Sequence, residues 1–378
     1  MMLPRPGSAE LRDAFDGRRV LVTGHTGFKG GWLTLWLSAL GARVAGLALT
    51  ADPRSMYRAL ALDELCESAE QDIRDVAAVA EVVRRTRPEV VFHLAAQSLV
   101  RASYEAPLET LAVNTLGTAN VLEAIRGSEL RCAVVVVTSD KCYQPSPEGE
   151  SREVDALGGH DPYSCSKAAA ELVVESWRRS YFPPDRLGSH GVAIATARAG
   201  NAIGGGDYAA DRLVPDAVRA WQAGVALELR NPGHVRPWQH VIEPLGGYLL
   251  LAAELLRSQS PELCGPWNFG PPSEVDANVS QVAHAFARAW NPAAPPAVRA
   301  GAANGKPEVP ALRLSTRKAE SLLGWRPRWS LTEALARTAA WYAAQHRGAP
   351  PAALRDLTLT QISDWLGSPA IVTNGCAQ

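Results

Sequence analysis

The stretch Arg19–Trp32, RVLVTGHTGFKGGW, decides the fold. It opens with the β-branched run RVLVT, continues with Gly24, Gly27 and Gly30 at three-residue spacing, and leads into the apolar segment Trp32–Leu40. A strand that turns sharply into a helix, while main-chain N–H groups approach a pyrophosphate, needs residues without a Cβ at the turn. The spacing predicts strand, glycine loop and helix, the first unit of a dinucleotide-binding sheet. Gly24, Thr26, Gly27, Phe28, Lys29 and Gly30 are its expected cofactor contacts.

Outward from this loop, short apolar runs alternate with helical stretches. Strands are expected at Arg43–Leu49, Val90–Leu94, Cys132–Thr138 and Val192–Ala197, and helices at Val76–Arg87, Leu108–Arg126 and residues 163–181. Apolar strands separated by helices indicate a parallel sheet covered on both faces, the doubly wound, Rossmann-type α/β fold. After about residue 200 closely spaced glycines and prolines break the pattern. Residues 1–199 are therefore expected to form the dinucleotide-binding lobe, joined by a returning segment near 240–258. Residues 200–366 should be mainly a smaller, mixed α/β substrate lobe, with 290–312 a loop, helices at 316–324 and 331–346, and 367–378 a loose tail.

Composition removes other classes. Of 378 residues 47% are hydrophobic and 20% charged, enough to bury a sizeable core. Thirty-eight basic and 39 acidic residues nearly cancel, which gives no support to nucleic acid or an anionic membrane as partner. No run reaches the length of a membrane span and the N-terminal residues carry no secretory pattern, so the cytoplasm is the expected compartment. Cys66, Cys132, Cys142, Cys165, Cys264 and Cys376 show no regular spacing and read as reduced thiols. His25 and His240 have no second ligand at metal spacing, and no metal is expected.

Tyr163 and Lys167 stand four apart in DPYSCSK, on one face of the expected helix. A neighbouring ammonium favours tyrosinate, which predicts a lowered tyrosine pKa and a general base. TSDKCY places Ser139, Asp140 and Lys141 at the C-terminal end of the apolar strand Cys132–Thr138, where doubly wound sheets carry their chemistry. An adjacent acid and base suggest a proton-transfer task beyond oxidation of a hydroxyl. The acid that would hold an NAD ribose is missing at the end of the second strand, where Asp52 comes slightly late beside Arg54, while Asp72 and Ile73 could frame the adenine. NAD is the preferred cofactor.

TGHTGFKG, HLAAQ (93–97), VNTLGT (113–118), the SDK segment and YSCSK together resemble the extended short-chain dehydrogenase/reductase family over residues 18–345. The resemblance implies that Leu94, Ala95 and Ala96 line the cofactor, that Asn114 belongs to its site, and that Tyr163 is base toward a sugar hydroxyl. AAQSLVR, TSDKCY, GGHDPYS, RAGNAIGGGD and RPWQHV are similar to the CDP-glucose 4,6-dehydratase subfamily, in which the pair after the serine is Asp-Lys. It implies a CDP-glucose substrate and a homo-oligomer, and a place in deoxysugar supply such as that for lipopolysaccharide O-antigen. On this resemblance Lys141 removes the C5 proton and Asp140 protonates the departing 6-hydroxyl. Gln97 and Arg101 reach the sugar, Asn201 contacts sugar or diphosphate, and Arg212 and Arg236 hold the diphosphate. Trp238 is expected as core support. A nucleotide-sugar 4-epimerase, a 4,6-dehydratase for another nucleotide sugar, and a non-catalytic NAD-sensing regulator are the competing readings.

Overall fold

A computed structural model describes residues 8–145, 150–258, 260–271, 276–301 and 311–367. The expected tail beyond Gly367, Cys376, and most of the expected loop after residue 301 lie outside the described residues. The strands are β1 (Arg19–Thr23), β2 (Arg43–Ala48), β3 (Glu67–Glu70), β4 (Val90–His93), β5 (Cys132–Val137), β6 (Val192–Ala199), β7 (Ala202–Ile203), β8 (Leu227–Leu229), β9 (Gln239–His240), β10 (Pro266–Phe269) and β11 (Val298–Ala300). Seven of them form one sheet in the order β10-β6-β5-β4-β1-β2-β3, every neighbouring pair parallel. The order reverses beside β1, so the carboxyl ends of β1 and β4 open onto the crevice where such sheets bind ligands.

Alternation along the strands makes two cores. Val20, Val22, Val90, Phe92, Ala133, Val135 and Val137 point to one face, and Leu21, Val91, Val134 and Val136 to the other. Helices Val76–Thr86, Gly117–Arg126 and Pro162–Ser180 cover the second face with Val79, Val83, Val121, Leu122 and Val174. Helices Phe28–Ala39 and Ile242–Ser258 cover the first. Helix Ile242–Ser258 is buried nearly all round because it lies between the sheet and the C-terminal helices. Each fully buried Val or Leu in these layers contributes about 1.5–3 kcal/mol, so the strands are held by burial on both faces.

The later residues return to the sheet more than expected. Strand β10 is its edge, and helix Pro351–Leu366, absent from the sequence reading, packs Trp365 edge-on to Trp36 of helix Phe28–Ala39 at 5.5 Å. Buried Glu243 ties these pieces together, accepting from Trp365 Nε1 at 2.8 Å and from the backbone N–H groups of Arg328 and Trp329. The expected loop 290–312 contains β11, which pairs with β8. The expected helix Leu108–Arg126 comprises Pro107–Leu111, a π-turn at Ala112–Leu116 and Gly117–Arg126. Such turns insert one extra residue and re-aim a side chain, here Asn114.

Beneath the sheet's carboxyl end lies a buried ion pair. Arg198 of β6 donates to Glu171 at 2.8 Å, both side chains 3% exposed, and Glu171 also accepts from Thr138 and Thr196. Arg198 donates to the Tyr143 hydroxyl at 2.8 Å, anchoring the chain just past Asp140–Cys142. Removing one partner strands a charge without water. Arg198→Met is expected to cost about 3–5 kcal/mol in urea unfolding. A loss below about 1 kcal/mol would mean that Glu171 is solvated instead.

Candidate active site

The glycine loop follows β1 and turns at Gly24, whose φ is +74°. A Cβ there would meet the Ala95 backbone nitrogen at 2.7 Å, and one at Gly30 would meet the Gly24 carbonyl oxygen at 2.0 Å. Helix Phe28–Ala39 starts at Gly27 without a side-chain cap, so its first N–H groups are left for a ligand. A main-chain cradle at a helix N-terminus fits a diphosphate. Gly24, Thr26, Gly27, Phe28, Lys29, Gly30, Leu94, Ala95 and Ala96 all line one cavity of about 870 Å³. Asp52, Arg54, Asp72 and Ile73 line the same cavity, with Asp72 paired to Arg74 at 2.6 Å.

Asn114 lies behind this wall rather than on it. Only 1% exposed, it accepts from Gln97 N at 2.8 Å and donates to Gln97 O at 2.9 Å and Ser166 Oγ at 2.8 Å. It therefore fixes the loop after β4 to the helix that carries Tyr163. That helix begins at Pro162, with Asp161 accepting from Ser164 N at 2.9 Å as its cap. Tyr163 and Lys167 fall one turn apart, both buried and both on the cavity.

Across from them β5 ends in a three-residue turn, Asp140–Cys142. Ser139 accepts from Lys141 N at 3.2 Å and donates to Asp140 Oδ1 at 3.0 Å. Asp140 is 4% exposed and its Oδ2 has no hydrogen-bond partner among the described residues. Burial pushes its carboxyl above the ordinary range, against the downward pull of Lys141, Ser139, Arg236 and Lys29. Lys141 is half-buried beside it on the cavity wall.

Tyr163 departs from the sequence expectation. Burial drives its phenol up to about 12, and the groups that oppose this are Ser139, by a hydrogen bond, and Arg212. Lys167 is brought down to about 8 by burial, against Glu171, and its ammonium donates to Val137 O at 3.3 Å. Desolvation thus outweighs the cationic neighbour that the four-residue spacing promised. Lys29, expected only as a cofactor contact, is also lowered to about 8, by burial and by Arg212 and Lys167, and feels Asp140.

The substrate side is mixed. Asn201, Arg212 and Arg236 line the cavity with Gln97, Arg101 and Trp238. Gln97 spends its amide on Leu99 O at 3.0 Å and Thr110 Oγ1 at 2.9 Å, and Arg101 is paired with Asp211 at 3.2 Å, so both hold the wall. Arg212 is paired with Asp207 at 3.0 Å and donates to Ser98 at 2.8 Å. Arg236 donates to Val235 O at 2.8 Å. Trp238 serves both as core and as wall. Sequence reading missed the far end, formed by Leu227–Asn231 with His234 and Val279, because a three-residue strand in a glycine- and proline-rich region carries no local motif. His25 is a core residue bonded to Ser68 at 2.8 Å, and His240 is buried against Trp32 and Trp329.

A parallel doubly wound sheet whose glycine cradle shares a cavity with a buried Tyr163/Lys167 pair defines a short-chain dehydrogenase/reductase. The family model described as GDP-mannose 4,6 dehydratase matches residues 21–254, and the chain belongs to that family. It is 44% identical over 339 residues to the CDP-glucose 4,6-dehydratase of Salmonella typhimurium, covering 89% of this chain and 94% of that one. It is 28% identical over 277 residues to a dTDP-glucose 4,6-dehydratase of Streptomyces antibioticus, covering 72% of this chain and 74% of that one. Among solved structures it is similar to the dTDP-glucose 4,6-dehydratase of Streptomyces venezuelae with NAD and TYD bound, at 25% identity, TM-score 0.72, and coverage of 88% and 98%. The UDP-glucose 4-epimerase of Thermus thermophilus in complex with NAD gives 28% identity, TM-score 0.72, and coverage of 88% and 99%.

The cradle is testable apart from catalysis. Gly24→Ala places a methyl against the Ala95 backbone and strains a positive φ. Calorimetric NAD affinity should fall at least about tenfold, about 1.4 kcal/mol. Unchanged affinity would mean that the dinucleotide does not lie on this loop.

Proposed function

We propose that the chain converts CDP-glucose to CDP-4-dehydro-6-deoxyglucose and water, with NAD as a recycled cofactor. The observation that carries this reading is the Ser139-Asp140-Lys141 turn facing Tyr163 across one cavity, with the Asp140 carboxyl buried and held toward its neutral form. A 4-epimerase needs the tyrosine and a hydroxyl and would leave a buried, protonatable acid without a task. The choice of cytidine diphosphate is supported by the 44% identical relative of that name. NAD is supported by the cradle and by the neighbours solved with it.

Gly24, Gly27, Gly30 and the first amides of helix Phe28–Ala39 hold the cofactor diphosphate, and Leu94–Ala96 flank its path toward Tyr163. When bound, NAD supplies a reversible hydride acceptor. Tyr163, on the same cavity as Ser139, takes the proton of the sugar 4-hydroxyl as C4 is oxidised. The 4-ketone acidifies C5–H. Lys141 is placed to remove that proton, and Asp140, whose carboxyl burial pushes above the ordinary range, gives a proton to the 6-hydroxyl, which leaves as water. Lys141 then returns its proton to C5. Arg212 and Arg236 are placed for the substrate diphosphate, since a guanidinium can make paired bonds to phosphate oxygens.

Among the described residues no helix is long and apolar enough to cross a membrane. Leu108, Leu116 and Leu172, 80%, 62% and 60% exposed on adjoining helices, support assembly into a homodimer or tetramer.

Incubation with CDP-glucose and a trace of NAD should yield the 4-keto-6-deoxy sugar, detected by mass and by its alkaline chromophore. An epimerised sugar retaining its 6-hydroxyl would overturn the reading. Tyr163→Phe should form no reduced cofactor. Lys141→Ala should form it and stall before water loss, with solvent deuterium entering C5 about 10²–10⁴-fold more slowly.

A further inference from the structure

We propose that Pro237 is a positioning residue for the loss of water: its ring seals the Asp140 carboxyl from solvent against the bare backbone of Gly200. The inference rests on the dehydratase reading, in which Asp140 gives a proton to the 6-hydroxyl, and it names the group that prepares the acid for that step.

The seal is a close approach of three pieces distant in sequence. Gly200 follows the last residue of β6, Pro237 stands just ahead of β9, and Asp140 begins the turn after β5. A Cβ at Gly200 would meet Pro237 Cγ at 2.2 Å, Pro237 Cβ at 3.1 Å and Asp140 Oδ2 at 3.0 Å. The space that any other residue would need at position 200 is thus already shared by the proline ring and the carboxyl. The oxygen concerned is the one without a hydrogen-bond partner, since Oδ1 takes the Ser139 hydroxyl at 3.0 Å. Gly200 brings no side chain to answer it, and a proline ring is carbon throughout and has no N–H.

The ring is a backing and not a substrate contact. Asp140 and Gly200 line the cavity, whereas Pro237 is buried and does not. Its place is fixed on both sides. Trp238 N donates to Arg236 O at 2.9 Å, and Gln239 N donates to Asn201 O at 3.1 Å where β7 and β9 begin to pair.

An apolar cover takes hydration from a carboxylate and much less from a carboxylic acid, so it favours the form that can donate. Burial is indeed the largest influence on Asp140 and acts upward. The groups that face it come from every neighbouring element. Lys141 on its own turn, Lys29 of helix Phe28–Ala39 and Arg236 ahead of β9 favour its charge. Cys142, Tyr163 and Tyr248 also feel it, and burial disfavours their own ionisation. Of all these only Arg236 adjoins Pro237.

The experiment is an infrared titration of NAD-loaded, ¹³C-aspartate-labelled wild type, Pro237→Ala and Pro237→Val, with Asp140→Asn subtracted to isolate one carboxyl band. Alanine leaves room for water beside Oδ2, and the pH at which the band half-vanishes should fall by about one unit. The acid exists below that midpoint, so at a pH above both midpoints its working fraction falls about tenfold. Conversion of CDP-glucose at that pH should slow by the same factor, while KM and the first formation of reduced cofactor change less than about twofold. Valine keeps an apolar cover and should hold both midpoint and rate near wild type. An unchanged midpoint in Pro237→Ala, or an equal fall in Pro237→Val, would overturn the seal. So would a raised KM at an unchanged midpoint, which would mean that Pro237 serves Arg236. A lowered midpoint in a chain whose wild type makes no 4-keto product would overturn the dehydratase reading and leave the seal standing.

Discussion

Asp140 stands where a strand buried along its whole length runs out of sheet, and its carboxyl has been taken out of water. Desolvation of that one group sets the terms for its surroundings. A charge there would be costly, so the carboxyl is held toward its neutral form, and a neutral acid is what protonation of a poor leaving group needs. Lys141, Arg236 and Lys29 keep the deprotonated form from being unreachable. The Arg198–Glu171 pair beneath is the structural counterpart, two charges that can be buried only because they answer each other. Through Tyr143 that pair anchors the chain as it leaves the turn, so the geometry of the acid depends on packing two layers away.

Much of this was legible because it is local. The glycine loop, the strands with alternating cores, the Tyr163/Lys167 spacing and the Ser139-Asp140-Lys141 turn each lie within a few residues and obey a short-range rule. What escaped is set by partners distant in sequence. Strand β10, PWNF, is too short to announce itself and opens with a proline, and becomes an edge strand because Thr196–Ala199 offers a free ladder. Helix Pro351–Leu366 owes its place to Trp36, Glu243 and Arg337, all of which lie outside it and distant in sequence. The partners of Gln97 and Arg101, both of which line the cavity, are likewise distant in sequence: Asn114 at the π-turn and Asp211.

Tyr163 shows the same division between spacing and environment. Four-residue spacing correctly predicts that it shares a helix face with Lys167, yet spacing carries no information on solvent. In the folded chain Lys167 is itself desolvated and turned toward a backbone carbonyl, and the groups that oppose the rise of the phenol are Ser139 and Arg212.

The raised proton affinity of the Asp140 carboxyl is the claim on which the rest turns, and an isotope-edited infrared titration of ¹³C-aspartate-labelled protein reads it directly. The difference between wild type and Asp140→Asn should isolate one protonated carboxyl band that persists well above the pH of about 3.9 at which an ordinary aspartic acid loses its proton. Because the folded value is raised, the band should be full at low pH and vanish only as pH rises through that higher midpoint. A band that disappears near pH 4 would show a carboxylate already ionised at neutrality, and would contradict the account.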